Sequence, residues 1–150
     1  MMKRELVKGW MTEDVVTIRS NTTLPEAHEL MKSAKVRRLP VVENNGRLLG
    51  ILTLSDIHKA QPSAATTLTV WELNYMLAAL KVKKIMTPNP ITISPNHTIG
   101  DAARLMLENR IGGLPVVDEA GKLVGIITES DIFSMVVLHE WEEVGRAVAS

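Results

Sequence analysis

The chain carries the same short polar motif twice, and its residue types suit hydrogen bonding at the start of a helix. The motif is Thr-x-Ser-Asp, and its two copies, 75 positions apart, are Thr53, Ser55, Asp56 and Thr128, Ser130, Asp131. Hydroxyl and carboxylate oxygens in this position commonly cap a helix by accepting hydrogen bonds from its first N–H groups. The same oxygens can instead bind a ligand, so the motif alone leaves both roles open.

Each motif follows two short apolar runs that we expect to pair as a β-hairpin. In the first copy the runs are 39–42 and 48–53, and an Asn-Asn-Gly sequence ending at Gly46 lies between them. These residue types tolerate the positive φ of a tight turn. Because the motif comes directly after the second run, its side chains are predicted to lie where the hairpin ends and a helix begins.

A β-rich run and a helix are predicted before each hairpin. The runs are 15–18 and 90–93. Thr23 stands three residues before Glu26, and Thr98 three before Asp101, a spacing typical of a helix N-terminal cap. Apolar residues at helical spacing follow both caps. One unit is therefore predicted to have the order β-α-β-β-α.

This unit occurs twice, because residues 7–57 align without a gap on 82–132, with 23 identities in 51 positions. We expect a mixed α/β fold of two such repeats, packed about a pseudo-twofold axis since neither buries enough surface alone. The predicted boundaries are 7–60 for the first repeat, 61–81 for a connecting loop and helix, 82–135 for the second repeat and 136–150 for a C-terminal helix.

Two apolar segments lie outside the repeat. Residues 61–67 are predicted to form a loop, and Trp71 and Tyr75 lie on one face of the helix that follows. At the C-terminus an amphipathic stripe recurs every three or four residues, at Phe133, Val137, Trp141, Val144 and Val148. This stripe either packs against its own domain or, together with Trp71, forms a homodimer contact, since aromatic residues favour interface cores.

Composition excludes several classes of protein. Lysine plus arginine equals aspartate plus glutamate at 17 each, which weighs against nucleic acid and anionic membranes as partners. The chain has no cysteine and no apolar run long enough for a membrane span or a signal peptide, which fits a cytoplasmic protein. No nucleophile-base pair, P-loop or histidine pair at metal-ligand spacing is present, so neither an enzyme nor a metal site is predicted.

The repeated sequence Leu-Pro-Val-Val followed by Gly-Ile-(Leu/Ile)-Thr-x-Ser-Asp-Ile resembles the CBS domain, over residues 7 to about 135. A tandem pair is similar to the Bateman module of that family. The helix around 71–80, leading into Leu-Lys-Val-Lys-Lys-Ile-Met-Thr, also resembles CBS proteins of the acetoin-utilisation type. We expect no added C-terminal domain of the kind that such proteins carry.

The resemblance implies a regulatory module that binds AMP, ADP, ATP or S-adenosylmethionine in two clefts between the repeats. By the family pattern, Asp56 and Asp131 hold the ribose hydroxyls, and Thr53 and Thr128 help near the phosphate. The chemistry agrees with this, because a carboxylate can accept from both hydroxyls of a cis-diol and a helix N-terminus offers N–H donors to phosphate. The alternative remains that these residues only cap their helices.

The family pattern also implies an adenine slot along the first strand of each repeat and basic residues before Leu-Pro. The slot is expected to be lined by Val15, Val16 and Thr17 in one cleft, and by Pro90, Ile91 and Thr92 in the other; ordinary core packing is the alternative. Arg37 and Arg38 are expected to contact phosphate, or else to be solvated. Gly112 and Gly113 replace them in the second copy, so the two clefts should differ.

Three functions compete at this stage. The leading one is an adenine-nucleotide-binding regulator, a homodimer that acts on an unidentified effector protein. The second is a nucleic-acid-binding CBS protein that uses a basic patch of Lys81, Lys83, Lys84, Arg37 and Arg38. The third is a dimerisation scaffold that binds no ligand.

Overall fold

The computed structural model of the protein describes residues 5–61 and 69–149, except the side chains of Leu73 and of 140–149. The chain folds into two compact units, one formed by 16–90 and the other by 1–15 together with 91–150. Each unit has its own apolar core. We call them the first unit and the second unit, after the repeat whose hairpin each contains.

The first unit has helices around a small antiparallel sheet. Its elements are α1 (Leu24–Ala34), β1 (Arg38–Val42), β2 (Leu48–Thr53), α2 (Leu54–Ala60), α3 (Val70–Ala79) and β3 (Thr87–Pro88). The predicted cap of α1 is confirmed, because Thr23 and Glu26 form a reciprocal capping box. The hairpin prediction is also confirmed, and Gly46 has the positive φ (86°) that the turn requires.

The second unit repeats this plan with α4 (Ile99–Asn109), β4 (Gly113–Val117), β5 (Leu123–Thr128) and α5 (Glu129–Ala149). Thr98 and Asp101 form the predicted capping box of α4. The side chains of Leu114, Val116 and Ile127 are fully buried in its core, as the apolar hairpin pattern indicated. The predicted mixed α/β class, with two copies of one small unit, is therefore confirmed.

The predicted first strand of each repeat is wrong in its extent. Only Ile18 joins the sheet of the first unit: its N–H donates to the carbonyl of Pro40, and its own carbonyl accepts from Val42. Extending this parallel ladder backward would need an N–H from Pro40, which proline lacks. Ile93 forms the same single bridge beside Pro115 in the second unit.

The first residues of the two repeats are exchanged between the units. The 3₁₀ turn Val7–Gly9 and the following Thr12 lie in the second unit, where Thr12 exchanges two backbone hydrogen bonds with Ile126 of β5. The equivalent turn Val82–Lys84 and β3 lie in the first unit, where β3 pairs with β2. The structural units therefore cut across the sequence repeat.

Two helices expose apolar side chains. The helix predicted around 71–80 is observed as α3, with Thr69 as its cap, and Trp71 on it is 86% exposed. On α5, Phe133 and Val137 are 63% and 65% exposed, so these two do not pack into the core of their own unit. The side chains of Trp141, Val144 and Val148, and the predicted loop at 62–67, lie outside the described residues.

Candidate ligand-binding site

In the first unit the predicted Thr and Asp are joined in a capping box at the end of β2. The Thr53 N–H donates to Asp56 Oδ2 at 2.9 Å, and the Asp56 N–H donates to Thr53 Oγ1 at 3.1 Å. Both side chains are partly buried. In the described part of the chain, no donor is bonded to Asp56 Oδ1. One carboxylate oxygen is therefore fixed by the cap, and the other can accept from a ligand.

The second unit has a related but different arrangement. The Thr128 N–H donates to Asp131 Oδ2 at 2.8 Å, and the Thr128 hydroxyl lies 3.3 Å from the same oxygen. Here the threonine hydroxyl is a donor to its aspartate, whereas Thr53 Oγ1 is an acceptor from a backbone N–H. No described residue donates to Asp131 Oδ1 either. Capping thus holds each aspartate in place without using its whole carboxylate.

The arginine pair lies beside the first of these boxes. Arg38 is the partner of Thr53 in the β1–β2 register, and the Arg37 carbonyl accepts from the Leu54 N–H at the start of α2. Arg37 is exposed and Arg38 partly buried. The sequence-predicted residues Arg37, Arg38, Thr53 and Asp56 are therefore brought to one end of the same hairpin. This is a suitable place for a cation to meet a phosphate.

In the second unit the same end of the hairpin has no side-chain cation from these positions. Gly113 is the register partner of Thr128, and the Gly112 carbonyl accepts from the Glu129 N–H. The backbone frame is therefore the same in both units, and only the side chains differ. In both, the first N–H of the following helix is already used, so a phosphate would find fewer free donors there than the sequence suggested.

The residues predicted for the adenine slot have mixed surroundings. Val16 is partly buried and packs against the core of the first unit, while Thr17 is exposed. Ile91 is exposed, and Thr92 and Pro90 are partly buried. Val16 thus serves in part as ordinary core. Thr17 and Ile91 leave side-chain surface available to a ligand.

The basic residues considered for nucleic acid do not form one group in the first unit. The Lys83 N–H donates to the Ser20 carbonyl. Ser20 follows Ile18 by two residues, and Ile18 pairs with Val41 near the C-terminal end of β1. Arg38 is at the opposite end of β1, and four strand steps separate the two ends by about 13 Å. The lysines and the arginine pair are therefore attached to opposite ends of the hairpin.

Two groups of polar side chains escaped the sequence reasoning. The rings of His28 and His58 lie 6.5 Å apart in the first unit. In the second unit Glu5 accepts from Trp10 Nε1 at 3.0 Å and lies 3.1 Å from His139 Nε2. Donation from Trp10, aided by His139, lowers the pKa of the Glu5 carboxyl. Only tertiary packing joins Glu5 and His139, which are 134 positions apart, so no local pattern could have revealed the pair.

The described ranges hold no cluster of three or more His, Cys, Asp or Glu side chains arranged to bind a metal ion. Among the helices in these ranges, none combines the length and the apolar character needed to cross a membrane. Of the residues that the sequence singled out, the Thr and Asp of each hairpin end are joined by a hydrogen bond through Oδ2 of the aspartate.

Comparison with known proteins identifies the family of both repeats. The family model of the CBS domain matches 5–63 and 82–138, so both hairpins and both motifs are included. A CBS domain-containing protein of Dictyostelium discoideum is 37% identical over 132 residues, which is 88% of this chain and 91% of that protein. The match therefore extends over nearly the whole length of both proteins.

Several solved structures have the same fold. CBSX2 in complex with AMP is 29% identical with a TM-score of 0.77, covering 91% of this chain and 98% of that one. The CBS domain pair of MJ0100, in complex with 5′-methylthioadenosine and S-adenosyl-L-methionine, is 30% identical with a TM-score of 0.73, covering 87% and 94%.

AcuB from Vibrio cholerae, a protein assigned to acetoin utilization, is 30% identical with a TM-score of 0.76, covering 92% of this chain and 95% of that one. Its similarity agrees with the resemblance noted in the helix between the repeats. The family match in both halves, the relative of similar length and the common fold lead to one conclusion: this chain belongs to the CBS domain family and contains the domain twice.

Proposed function

We propose that the protein is a regulatory module that binds an adenosine-type ligand, AMP, ADP, ATP or S-adenosylmethionine, at the Thr-x-Ser-Asp ends of its two hairpins. The observation that carries the proposal is that Oδ2 of Asp56 and of Asp131 accepts from the N–H of its motif threonine, while no described residue donates to Oδ1 of either aspartate. The complexes of CBSX2 with AMP and of MJ0100 with S-adenosylmethionine support the choice of ligand class.

The chemistry of the first site suits a ribose with a phosphate. A carboxylate oxygen that is already oriented loses little entropy when it accepts from a sugar hydroxyl. Arg38, beside Thr53 in the register, adds a charge-assisted contact for a phosphate or carboxylate. The second site has glycine in that place and should discriminate less between phosphorylated and unphosphorylated ligands.

A ligand regulates only if it binds two conformations with different affinity. We propose that the protein has no enzymatic activity of its own and passes ligand state to a separate effector protein in the cytoplasm. In the first unit the motif residues Thr53 and Asp56 form a helix cap that orients the Asp56 carboxylate for a ligand hydroxyl. These features fit a binding module better than a catalyst.

We further propose that the module is a homodimer. Phe133, Val137 and Leu138 on α5 line a shallow cavity of about 460 Å³, and Trp71 on α3 is exposed. Exposed aromatic and aliphatic side chains of this kind are typical of interface cores. Val137→Asp should convert a dimer to a single chain in analytical ultracentrifugation. Leu107→Asp, on α4 and 81% exposed, is the matched control and should leave the mass unchanged.

A thermal-shift panel tests the ligand proposal. AMP, ADP, ATP, S-adenosylmethionine, NADH and cyclic dinucleotides are compared, because a ligand that binds the folded state must raise the melting temperature with its concentration. We expect at least one adenosine-type ligand to raise it. A flat response to every compound would reject ligand binding and leave the dimerisation scaffold.

A further inference from the structure

Helices α1 and α2 of the first unit bring two histidines together. His28 is partly buried on α1 and His58 is exposed on α2. Their ring centroids are 6.5 Å apart and the ring planes are nearly perpendicular, at 86°. The neutral imidazole is the commonest metal ligand in proteins. A pair of them, on two helices that pack on each other, is a geometry that can bind one ion between the rings.

The distance between the two histidine rings is compatible with one ion bound to both. An ion about 2.0–2.1 Å from one nitrogen of each ring, at angles between tetrahedral and linear, places the ring centres roughly 5 to 6.5 Å apart. The observed separation is at the upper end of that range. Because His58 is exposed, a rotation of its side chain can shorten the separation without moving either helix.

A cavity of about 370 Å³ adjoins His28 between the helices of the first unit. Gln61 and Asn74 contribute amide groups to it, and Leu24, Ile57 and Leu77 form its apolar walls. His58 does not line this cavity, so amide oxygens can reach an ion only from the His28 side, and water can occupy the other coordination positions that the two histidines leave open.

We propose that His28 and His58 bind one divalent ion of the Zn²⁺, Ni²⁺ or Cu²⁺ type, with amide oxygens or water as the remaining ligands. Imidazole suits these ions and not Mg²⁺ or Ca²⁺, which prefer oxygen. The site would exist in the first unit only. The positions that align with His28 and His58 in the second repeat are Ala103 and Phe133, neither of which has a ligating atom.

Such an ion would act on a helix that also carries a residue of the proposed nucleotide site. His58 and Asp56 are two positions apart on α2. Metal binding to His58 would tie α2 to α1 and so restrain the segment that positions Asp56. This consequence rests on the proposed function, whereas the metal site itself does not and is tested with the ion alone.

The test is isothermal titration of the full chain, free of any histidine tag, with ZnCl₂ and separately with NiCl₂. We expect one ion per chain, and at least a tenfold loss of affinity in each of His28→Ala and His58→Ala. MgCl₂ should give no binding. His97→Ala is the matched control, because His97 is exposed and lies in the other unit, where its Nδ1 accepts from the Ser94 N–H; it should bind as the unchanged chain does.

A second measurement keeps the test decisive if His28→Ala does not fold. The melting temperature of the unchanged chain should rise with Zn²⁺ concentration, and that of His58→Ala, altered at an exposed position, should not. Absence of binding to the unchanged chain would overturn the proposal. So would equal affinity in the unchanged chain, His58→Ala and His97→Ala, since another group would then hold the ion.

Discussion

Arg38 lies opposite Thr53 in the β1–β2 hairpin, and the corresponding pair in the second unit is Gly113 and Thr128. The two repeats keep the same register, the same glycine in the turn and the same threonine at the strand end. They differ at the residue opposite the motif threonine, which is Arg38 in the first unit and Gly113, without a side chain, in the second. Since the backbone frame is conserved between the units, the difference bears on what each site can bind and not on how each folds.

Arg38→Ala should weaken binding of AMP much more than binding of adenosine. A hydrogen bond to a charged group contributes about 1.5–3 kcal/mol, so we expect roughly a tenfold to hundredfold loss for AMP and little loss for adenosine. Isothermal titration with both ligands measures the difference.

Arg47→Ala is the control for general loss of positive charge, because Arg47 is exposed in the turn at the other end of the same hairpin. It should leave the affinities for AMP and adenosine unchanged. Equal losses of both ligands in Arg38→Ala would mean that Arg38 supports the fold and does not meet the phosphate.

Asp56→Ala should have two separable effects, because Asp56 both caps α2 and offers Oδ1. Loss of the hydrogen bond from the Thr53 N–H to the Asp56 carboxylate costs about 1.5–3 kcal/mol, or several degrees of melting temperature in a chain of this length. Glu26→Ala removes the equivalent capping residue of α1 in the same unit. Both variants should have a lower melting temperature than the unchanged chain, but only Asp56→Ala should lose the rise in melting temperature that the ligand causes.

The same comparison can be made in the second unit with Asp131→Ala and Asp101→Ala, both of which remove a carboxylate that accepts from a capping threonine. If the Asp101 variant lost as much nucleotide binding as the Asp131 variant, the effect would come from reduced stability. The motif aspartates would then be capping residues only.

The elements that follow from neighbouring residues could be predicted from the sequence. The caps at Thr23 and Thr98 were predicted from a spacing of three residues, and the hairpin turn at Gly46 from its residue types; all are observed. The short first strand was missed because its length depends on the N–H that Pro40 lacks. That constraint belongs to the neighbouring strand and is visible only once the pairing is known.

The exchange of segments could not be predicted, for a definite reason. Met11-Thr12 and Met86-Thr87 have the same sequence, and so do the Gly-Ile dipeptides of β2 and β5 that they pack against. Local pattern therefore cannot decide which segment joins which unit. The pairs of His28 with His58 and of Glu5 with His139 are likewise products of packing between distant segments.

Gly125→Ala should destabilise the second unit through this exchanged segment. A Cβ at Gly125 would come within 2.6 Å of Met11 Sδ and 2.9 Å of the Thr12 carbonyl oxygen. The methionine can move, but the carbonyl accepts from Ile126 and is fixed. Overpacking of this kind costs about 1–3 kcal/mol, which thermal melting would register as a drop of several degrees.

Gly9→Ala is the matched control, because nothing lies within 4 Å of a Cβ there. It should melt close to the unchanged chain. A Gly125→Ala variant as stable as Gly9→Ala would show that the segment around Thr12 can move away from β5 at no cost.

Glu5→Gln should reduce the dependence of stability on pH in the acid range. Hydrogen bonds from Trp10 and His139 lower the pKa of Glu5 below its ordinary value of 4.5. A carboxyl with a depressed pKa stabilises the folded state above its unfolded pKa, and this contribution is lost as the pH falls through the folded pKa.

Glutamine keeps an acceptor for Trp10 but cannot ionise. Melting temperatures measured from pH 7 down to pH 3 should therefore favour the unchanged chain at pH 7, and the difference from Glu5→Gln should disappear as the pH falls through the lowered pKa of Glu5. A difference that stays constant over the whole range would show that the ionised form of Glu5 contributes nothing, and that Trp10 and His139 hold the segment by packing alone.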